Sequence, residues 1–228
     1  MVISLKNKPP KTEQELLERC EAIKGLSFAQ LCLGLNVSIP DNRDHRKGWI
    51  GQVLELALGC DAQNKSAPDF MDLGVELKTL PIGSSGKPTE STFVTSIPLL
   101  TIHQQEWLTS QCYSKLKRVL WIPVEGDTDI IYSQRRIGQG FIWSPDAEEL
   151  SGLEADWNHL VELISTGQLE TLDARVGDYL QVRPKAANGK SLCYGFDSCG
   201  NKIKTLPRGF YLRSTFTGKI MYKFRESY

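Results

Sequence analysis

Hydrophobic positions along this 228-residue chain recur in two periods, and the alternation between them predicts where helices and strands lie. Near the N-terminus Leu16, Leu17, Cys20 and Ile23 follow helical spacing behind Thr12 and Glu15, a capping-box pair, so a helix runs to about Gly25. A shorter helix from about Ser27 to Leu35 follows, then a polar stretch from Pro40 to Lys47. From about Gly48 to Gly59, Ile50, Val53, Leu54 and Ala57 share one face, with Leu56 and Leu58 beside it. Most of that circumference is apolar, so the helix is expected to be buried.

At Leu73 the period changes to two. Val75, Leu77 and Thr79 alternate with Glu76 and Lys78, as in a strand reaching Leu80. PIGSSGKP reads as a turn and ESTFVTSIP as the returning strand of a hairpin. Further strands are expected at Arg118–Val124, near Ile130 and around Gly140–Trp143, and Ser144-Pro145 opens an acidic helix to about Thr166. The remainder reads as a strand (Tyr179–Arg183), a polar loop, a strand (Gly209–Arg213) and a helix from about Ser214. The order lacks a regular βαβ rhythm, which predicts an α/β protein with a sheet of mixed direction.

Composition narrows the class. With 40% hydrophobic and 24% charged residues, the chain is neither disordered nor fibrous. No apolar run approaches the roughly 20 residues of a membrane span. The opening MVISLKNKPPK lacks the apolar core of a secretory leader, so the cytosol is expected and no membrane partner. Six cysteines without a C-x-x-C pair read as reduced thiols. The zero net charge conceals an asymmetry: from Arg183 onward ten basic residues face two acids, a balance of +8 against −8 for the rest. Such a tail is either a solvated basic surface or a footprint for a polyanion such as nucleic acid.

Several chemistries are discounted. His45, His103 and His159 stand far apart, outside any metal-binding or H-N-H spacing, and no G-x-S-x-G, Walker loop or G-x-G-x-x-G occurs. The informative segment is PDFMDLGVELKTLP, Pro68 to Pro81. Glu76 and Lys78 lie on one strand face, and Asp69 precedes them by a short turn. Carboxylates are the hard oxygen ligands that Mg²⁺ prefers, and a lysine beside them can stabilise a phosphoryl transition state. The same string also arises as an ordinary exposed ion pair. Glu55, the sole charge in the Ile50–Gly59 segment, either faces water or adds a third carboxylate to this group.

Taken together, KGWIGQVLELALG, DFMDLGVELKTLP, TFV, KLKRVLWIPVEG, YLQVRPKAANGK and TLPRGFYLRSTFT resemble the MutH family, strand-discriminating endonucleases of bacterial methyl-directed mismatch repair. The similarity runs from about Thr12 to Phe216. It implies a restriction-endonuclease-like fold in which residues 1–228 form one domain, a monomer with a catalytic arm and a recognition arm around a DNA cleft. The implied activity is Mg²⁺-dependent nicking, with one or two ions, of the unmethylated strand at hemimethylated GATC, 5′ to the guanine. The repair ATPase MutL is the implied activator. By position, Asp69, Glu76 and Lys78 match the catalytic acid, acid and lysine, and Glu55 an additional acid; Asp69, Glu76 and Leu77 match the metal-holding positions. Lys47, Gly48, Phe93 and Lys115 fall in DNA-proximal strings, and Arg183, Pro184, Lys185, Gly209 and Tyr211 in recognition strings. Six residues separate Asp69 from Glu76, a short spacer for the wider PD-(D/E)xK superfamily but the one expected of MutH relatives.

Arginine reads guanine bidentately, and an aromatic such as Tyr211 suits the place of an adenine methyl group; alternatively Arg183 touches only phosphate and Tyr211 plugs a core. The acidic helix is expected to be a solvated outer face, with activator docking as the other reading. Two functions compete with the nickase: a GATC-specific restriction endonuclease cutting both strands, and a non-catalytic DNA-binding protein.

Overall fold

Thr12 holds an extended backbone and its hydroxyl accepts the Glu15 N–H, which starts α1 (Glu13–Ile23). The Glu15 carboxylate reaches one residue further back than a capping box requires, to the Lys11 N–H at 2.8 Å. The computed structural model describes residues 8–42, 46, 48–62, 66–169, 172–173, 175–185 and 191–226. Ser27 and Gln30 form the full reciprocal box that opens α2 (Phe28–Leu35). α3 (Trp49–Leu58) is bracketed by Gly48 and Gly59, both left-handed, and buries Ile50, Val53, Leu54, Ala57 and Leu58. These helices share one core cluster with Phe70, Val75, Leu77, Leu120 and Ile122. At about 1.5–3 kcal/mol for each large apolar side chain removed from water, that cluster is what holds α3 beside the strands.

The chain divides into two compact units, Met1–Thr89 with Arg118–Trp143, and Glu90–Lys117 with Ser144–Tyr228. In the first, β1 (Glu76–Ile82) runs parallel to β3 (Val119–Glu125), which pairs antiparallel with β4 (Phe141–Trp143). The order β1-β3-β4 leaves β1 at an edge of the sheet. Arg118, just before β3, donates to Glu13 at the start of α1, 2.8 Å from Nε to Oε1, and this hydrogen bond, aided by the guanidinium charge, holds the glutamate below the usual carboxylate range.

In the second unit β2 (Thr92–Ser96) and β5 (Leu180–Pro184) flank β8 (Arg208–Leu212), all antiparallel. Around this sheet stand α4 (Gln111–Ser114), α5 (Ala147–Ser165) and α6 (Ser214–Glu226). α5 buries Leu153, Trp157, Leu160 and Ile164 on one face. Its Asp156 Oδ2 accepts three consecutive main-chain N–H groups, of Asp178, Tyr179 and Leu180, at 2.6–2.9 Å. The acidic helix is thus no plain solvated face, because one of its carboxylates anchors the entry to β5.

The mixed α/β class agrees with the hydrophobic pattern, and four local expectations are corrected. ESTFVTSIP does contain a strand, β2, but it pairs with β8 and not with β1. The loop after β1 turns back only as far as Thr89, whose N–H reaches the Pro81 carbonyl at 2.9 Å. Pro81 and Pro88 have no N–H with which to extend that ladder. No strand forms near Ile130, where residues 127–134 make turns and a short 3₁₀ helix at Tyr132–Gln134. Asp146, not Ser144-Pro145, caps α5, in a reciprocal box with Glu149. The polar loop before β8 contains an antiparallel hairpin, β6 (Cys193–Phe196) with β7 (Lys202–Thr205). Among the described residues no helix is long and apolar enough to cross a membrane, and all six cysteines are free thiols.

Candidate active site and nucleic-acid face

The six residues between Asp69 and Glu76 fold into a tight turn. Phe70 and Val75 exchange N–H···O bonds of 2.9 and 3.2 Å, and Gly74 closes the turn with φ +65°. Only a residue without Cβ takes that conformation at little cost. The turn sets Asp69 beside the start of β1, and the Leu77 N–H donates to Asp69 Oδ2 at 2.8 Å. Alternation explains why that N–H is available. Glu76 N–H bonds to Arg118 on the β3 side, so Leu77 directs its N–H and C=O to the open edge of the sheet. Lys78 Nζ stands 3.4 Å from Glu76 Oε1, and both side chains are 7% exposed. The expected trio is therefore gathered at the start of β1, with Glu76 and Lys78 on the strand and Asp69 bonded to the amide of Leu77 between them.

Glu55, half-buried on α3, joins the same neighbourhood. Burial, then the negative charges of Asp69, Glu55, Asp61 and Glu76, push the Cys60 thiol far above its usual range. Cys60, just after α3, thus lies within electrostatic reach of both Glu55 and the acids around β1. Asp61 was not singled out in the sequence. Its Oδ1 accepts the Met71 N–H at 2.9 Å and its own N–H donates to the Asp69 carbonyl at 3.1 Å, so it braces the turn that carries Asp69. No motif announces that role, which arises only when residues 61 and 71 meet across the turn.

Among the described residues no three His, Cys, Asp or Glu side chains converge closely enough to hold an ion. One oxygen of Asp69 is taken by Leu77 N–H and Glu76 is drawn to Lys78, as mutually repelling carboxylates settle on the nearest donors. The donor set nevertheless suits Mg²⁺, which takes oxygen ligands, is held by one or two carboxylates and completes its shell with water and phosphate oxygens. Asp69, Glu76 and the Leu77 carbonyl, all at the start of one edge strand, supply that set.

Four of the residues expected to contact DNA meet in the second unit. Phe93 on β2 and Tyr211 on β8 pack edge to face, 5.3 Å between centroids. Lys185 Nζ lies 3.3 Å from the Phe93 centroid, and the Arg183 guanidinium lies 6.0 Å from that of Tyr211. Two cations therefore sit against two rings packed edge to face, with Arg183, Pro184 and Lys185 exposed. Ser91 accepts a 2.7 Å bond from Arg183 and Ser96 a 3.4 Å bond from Lys185, contacts the sequence did not announce. Burial pushes the Tyr211 hydroxyl pKa up, against the opposing charge of Arg183. Gly209 has a packing reason: a Cβ there would stand 2.9 Å from the Phe93 ring and 3.1 Å from the Thr95 carbonyl.

Two of the remaining expected DNA-proximal residues, Gly48 and Lys115, are not part of either group. Lys47 lies outside the described residues. Gly48 is the left-handed N-cap of α3, with open space where a Cβ would stand. Lys115 is 6% exposed at the C-cap of α4, the short helix whose Gln111 accepts a 2.8 Å bond from the Thr95 hydroxyl of β2.

Small mixed sheets flanked by helices, one carrying an acid–acid–lysine group on its edge strand, place the chain in the restriction-endonuclease-like class. The family model described as DNA mismatch repair enzyme MutH matches residues 58–156. The Vibrio campbellii DNA mismatch repair protein MutH is 50% identical over 94% of this chain and 95% of its own length. The proteins of the same name from Pasteurella multocida and Escherichia coli are 48% and 46% identical, over 94% and 93% of this chain and 97% and 93% of theirs. The chain belongs to the MutH family.

Proposed function

We propose that this protein is a mismatch-repair endonuclease that nicks the unmethylated strand of hemimethylated GATC sites in duplex DNA, 5′ to the guanine, in a Mg²⁺-dependent reaction. The observation that carries the reading is the Leu77 N–H bond to Asp69, which joins both acids and the lysine on one strand edge. Asp69, Glu76 and the Leu77 carbonyl hold the metal, and Glu55 adds charge behind them. When bound, the ion neutralises phosphate and makes water a stronger nucleophile. Lys78 places an ammonium beside the reacting phosphoryl oxygens, and burial strengthens its field there. Asp61 braces the turn so that Asp69 keeps its place.

Without a cation this cluster repels DNA. A bare phosphate charge 4 Å from one carboxylate costs about 4 kcal/mol at an effective dielectric of 20, roughly a thousandfold in occupancy. The basic face of the second unit supplies the grip. Arg183 and Lys185 take phosphate and base-edge acceptors, Phe93 and Tyr211 back them with apolar surface, and Lys47, Gly48, Pro184 and Lys115 complete the DNA contact. The protein acts as a cytoplasmic monomer, one catalytic arm and one recognition arm in a single functional domain, and the repair ATPase MutL stimulates it.

The deciding experiment incubates supercoiled plasmid carrying one GATC in unmethylated, hemimethylated and fully methylated forms, with and without Mg²⁺. Nicked circles from the first two forms, none from the third and none without metal are expected. Immediate linear product identifies a double-strand restriction enzyme instead, and no cleavage in any form refutes the catalytic reading.

A further inference from the structure

The β6–β7 hairpin has two chemically opposite faces. Strand alternation puts Cys193, Gly195, Ile203 and Thr205 on one and Tyr194, Phe196, Lys202 and Lys204 on the other. The first face is pinned inward. Gly195 is buried, and a Cβ there would stand 3.0 Å from Leu169 and 3.5 Å from Leu99. The second face turns out: Lys202 and Lys204 are exposed and Tyr194 is 49% exposed. Lys202 Nζ sits 4.4 Å from the Tyr194 ring centroid, while Lys204 is the cross-strand partner of Tyr194. One exposed ring thus carries an ammonium on its face and has another beside it. The one carboxylate between Leu192 and Thr205, that of Asp197, is engaged in the hairpin's own turn by the N–H groups of Cys199 and Asn201 and the Asn201 amide.

The hairpin runs directly into the recognition strand. Lys204 precedes Pro207 by three residues, and the Pro207 carbonyl accepts the Lys185 N–H at 2.7 Å. Three residues span at most about 10 Å, the length of about three base-pair steps along a duplex. We propose that the outer face of this hairpin is a second, sequence-independent grip on the DNA backbone. It extends the contact from the recognised tetranucleotide to flanking duplex and rests on the DNA-binding reading above. Two ammonium groups contact phosphates as point charges and carry no base information. The Tyr194 ring is a positioning group that keeps Lys202 on the outer face.

The test measures affinity for a duplex of about 30 base pairs as salt is varied, for Lys202→Gln/Lys204→Gln beside the wild type and Arg183→Ala/Lys185→Ala. Two lost phosphate contacts should reduce the slope of log K against log salt by about 1.8. The reduction should be the same on duplexes with and without GATC, leaving their affinity ratio unchanged. These exposed side chains can be replaced without disturbing the buried face, and circular dichroism of each variant is the check on its fold. A wild-type slope in the hairpin variant, with a reduced slope in Arg183→Ala/Lys185→Ala, overturns the hairpin grip and leaves the DNA-binding reading standing. If the hairpin variant keeps its slope but loses stimulation by the activator, the face belongs to a protein partner and the proposal is overturned. A wild-type protein with no salt-dependent DNA binding defeats both readings.

Discussion

The first unit ties Asp69 and the turn that carries it to the main chain, whereas the second ties Arg183 and Lys185 to other side chains. Asp69 is fixed by the Leu77 N–H and its turn is braced by Asp61 on the Met71 N–H. Arg183 and Lys185 rest instead on the rings of Tyr211 and Phe93 and on the hydroxyls of Ser91 and Ser96. Main-chain anchors move only if the fold moves, which suits a reaction whose rate falls sharply with a misplacement of about 1 Å. Rings and hydroxyls allow a long cation to swing without unfolding anything, which suits a surface that meets DNA. On the proposed function, a buried acidic edge for bond breaking and an exposed basic face for binding call for different kinds of support.

The sharpest way to break this comparison is a crossed pair of variants. Lys78→Ala should lower the single-turnover nicking rate by about 10²–10³-fold, the cost of one preorganised electrostatic group, and change DNA affinity less than about threefold. Arg183→Ala/Lys185→Ala should do the reverse: the salt slope falls by about 1.8 and affinity by at least tenfold, while the rate at saturating DNA stays within about threefold. Equal losses of rate and affinity in both variants would dissolve the division of labour.

A middle-sized effect is expected at Gly209. Its Cβ would push on the Phe93 ring at 2.9 Å and the β2 backbone at 3.1 Å, and overpacking of that kind costs about 1–3 kcal/mol. Thermal melting of Gly209→Ala should drop by about 2–12 °C, at about 2–4 °C per kcal/mol for a chain of this size. DNA affinity should fall with it, because the displaced ring is the one that seats Lys185. A variant with unchanged melting would mean that Phe93 has room to yield.

The smallest effect concerns acid stability. Arg118 holds the Glu13 carboxyl below its ordinary 4.5, so the pair stabilises the folded chain above that value and loses its contribution as pH falls through the lowered one. Both side chains are more than a third exposed, so solvent screening keeps the contribution to a fraction of a kcal/mol. Glu13→Gln should therefore shift melting by less than about 2 °C at pH 7 and flatten its decline as the pH falls below 4.5. An unchanged acid limb would show that the pair is neutral to folding.

The residues read most reliably from sequence were those whose environment is local. The period-two run through Glu76 and Lys78 placed both on one strand face because alternation is a property of the backbone itself. Apolar spacing in α3 likewise identified its buried side. The hairpin expected after PIGSSGKP failed because strand pairing is not local: β2 found β8, more than a hundred residues away, once Pro81 and Pro88 had removed the donors for the nearer ladder. Asp61, Ser91 and Ser96 escaped for a related reason, since a carboxylate or hydroxyl becomes a support only when a distant donor arrives beside it.

By itself, then, the sequence determined which residue types could do chemistry here and the strand that would carry Glu76, Leu77 and Lys78 in fixed alternation, since both follow from covalent order and the two-residue repeat. Tertiary structure decided that β1 would lie at a sheet edge with the Leu77 amide turned toward Asp69, that Asp61 would brace the turn carrying Asp69, and that Phe93 would seat Lys185. Those outcomes depend on contacts between segments far apart in the chain. Their energies are settled by the burial and pairing of the whole fold, and no local pattern records them.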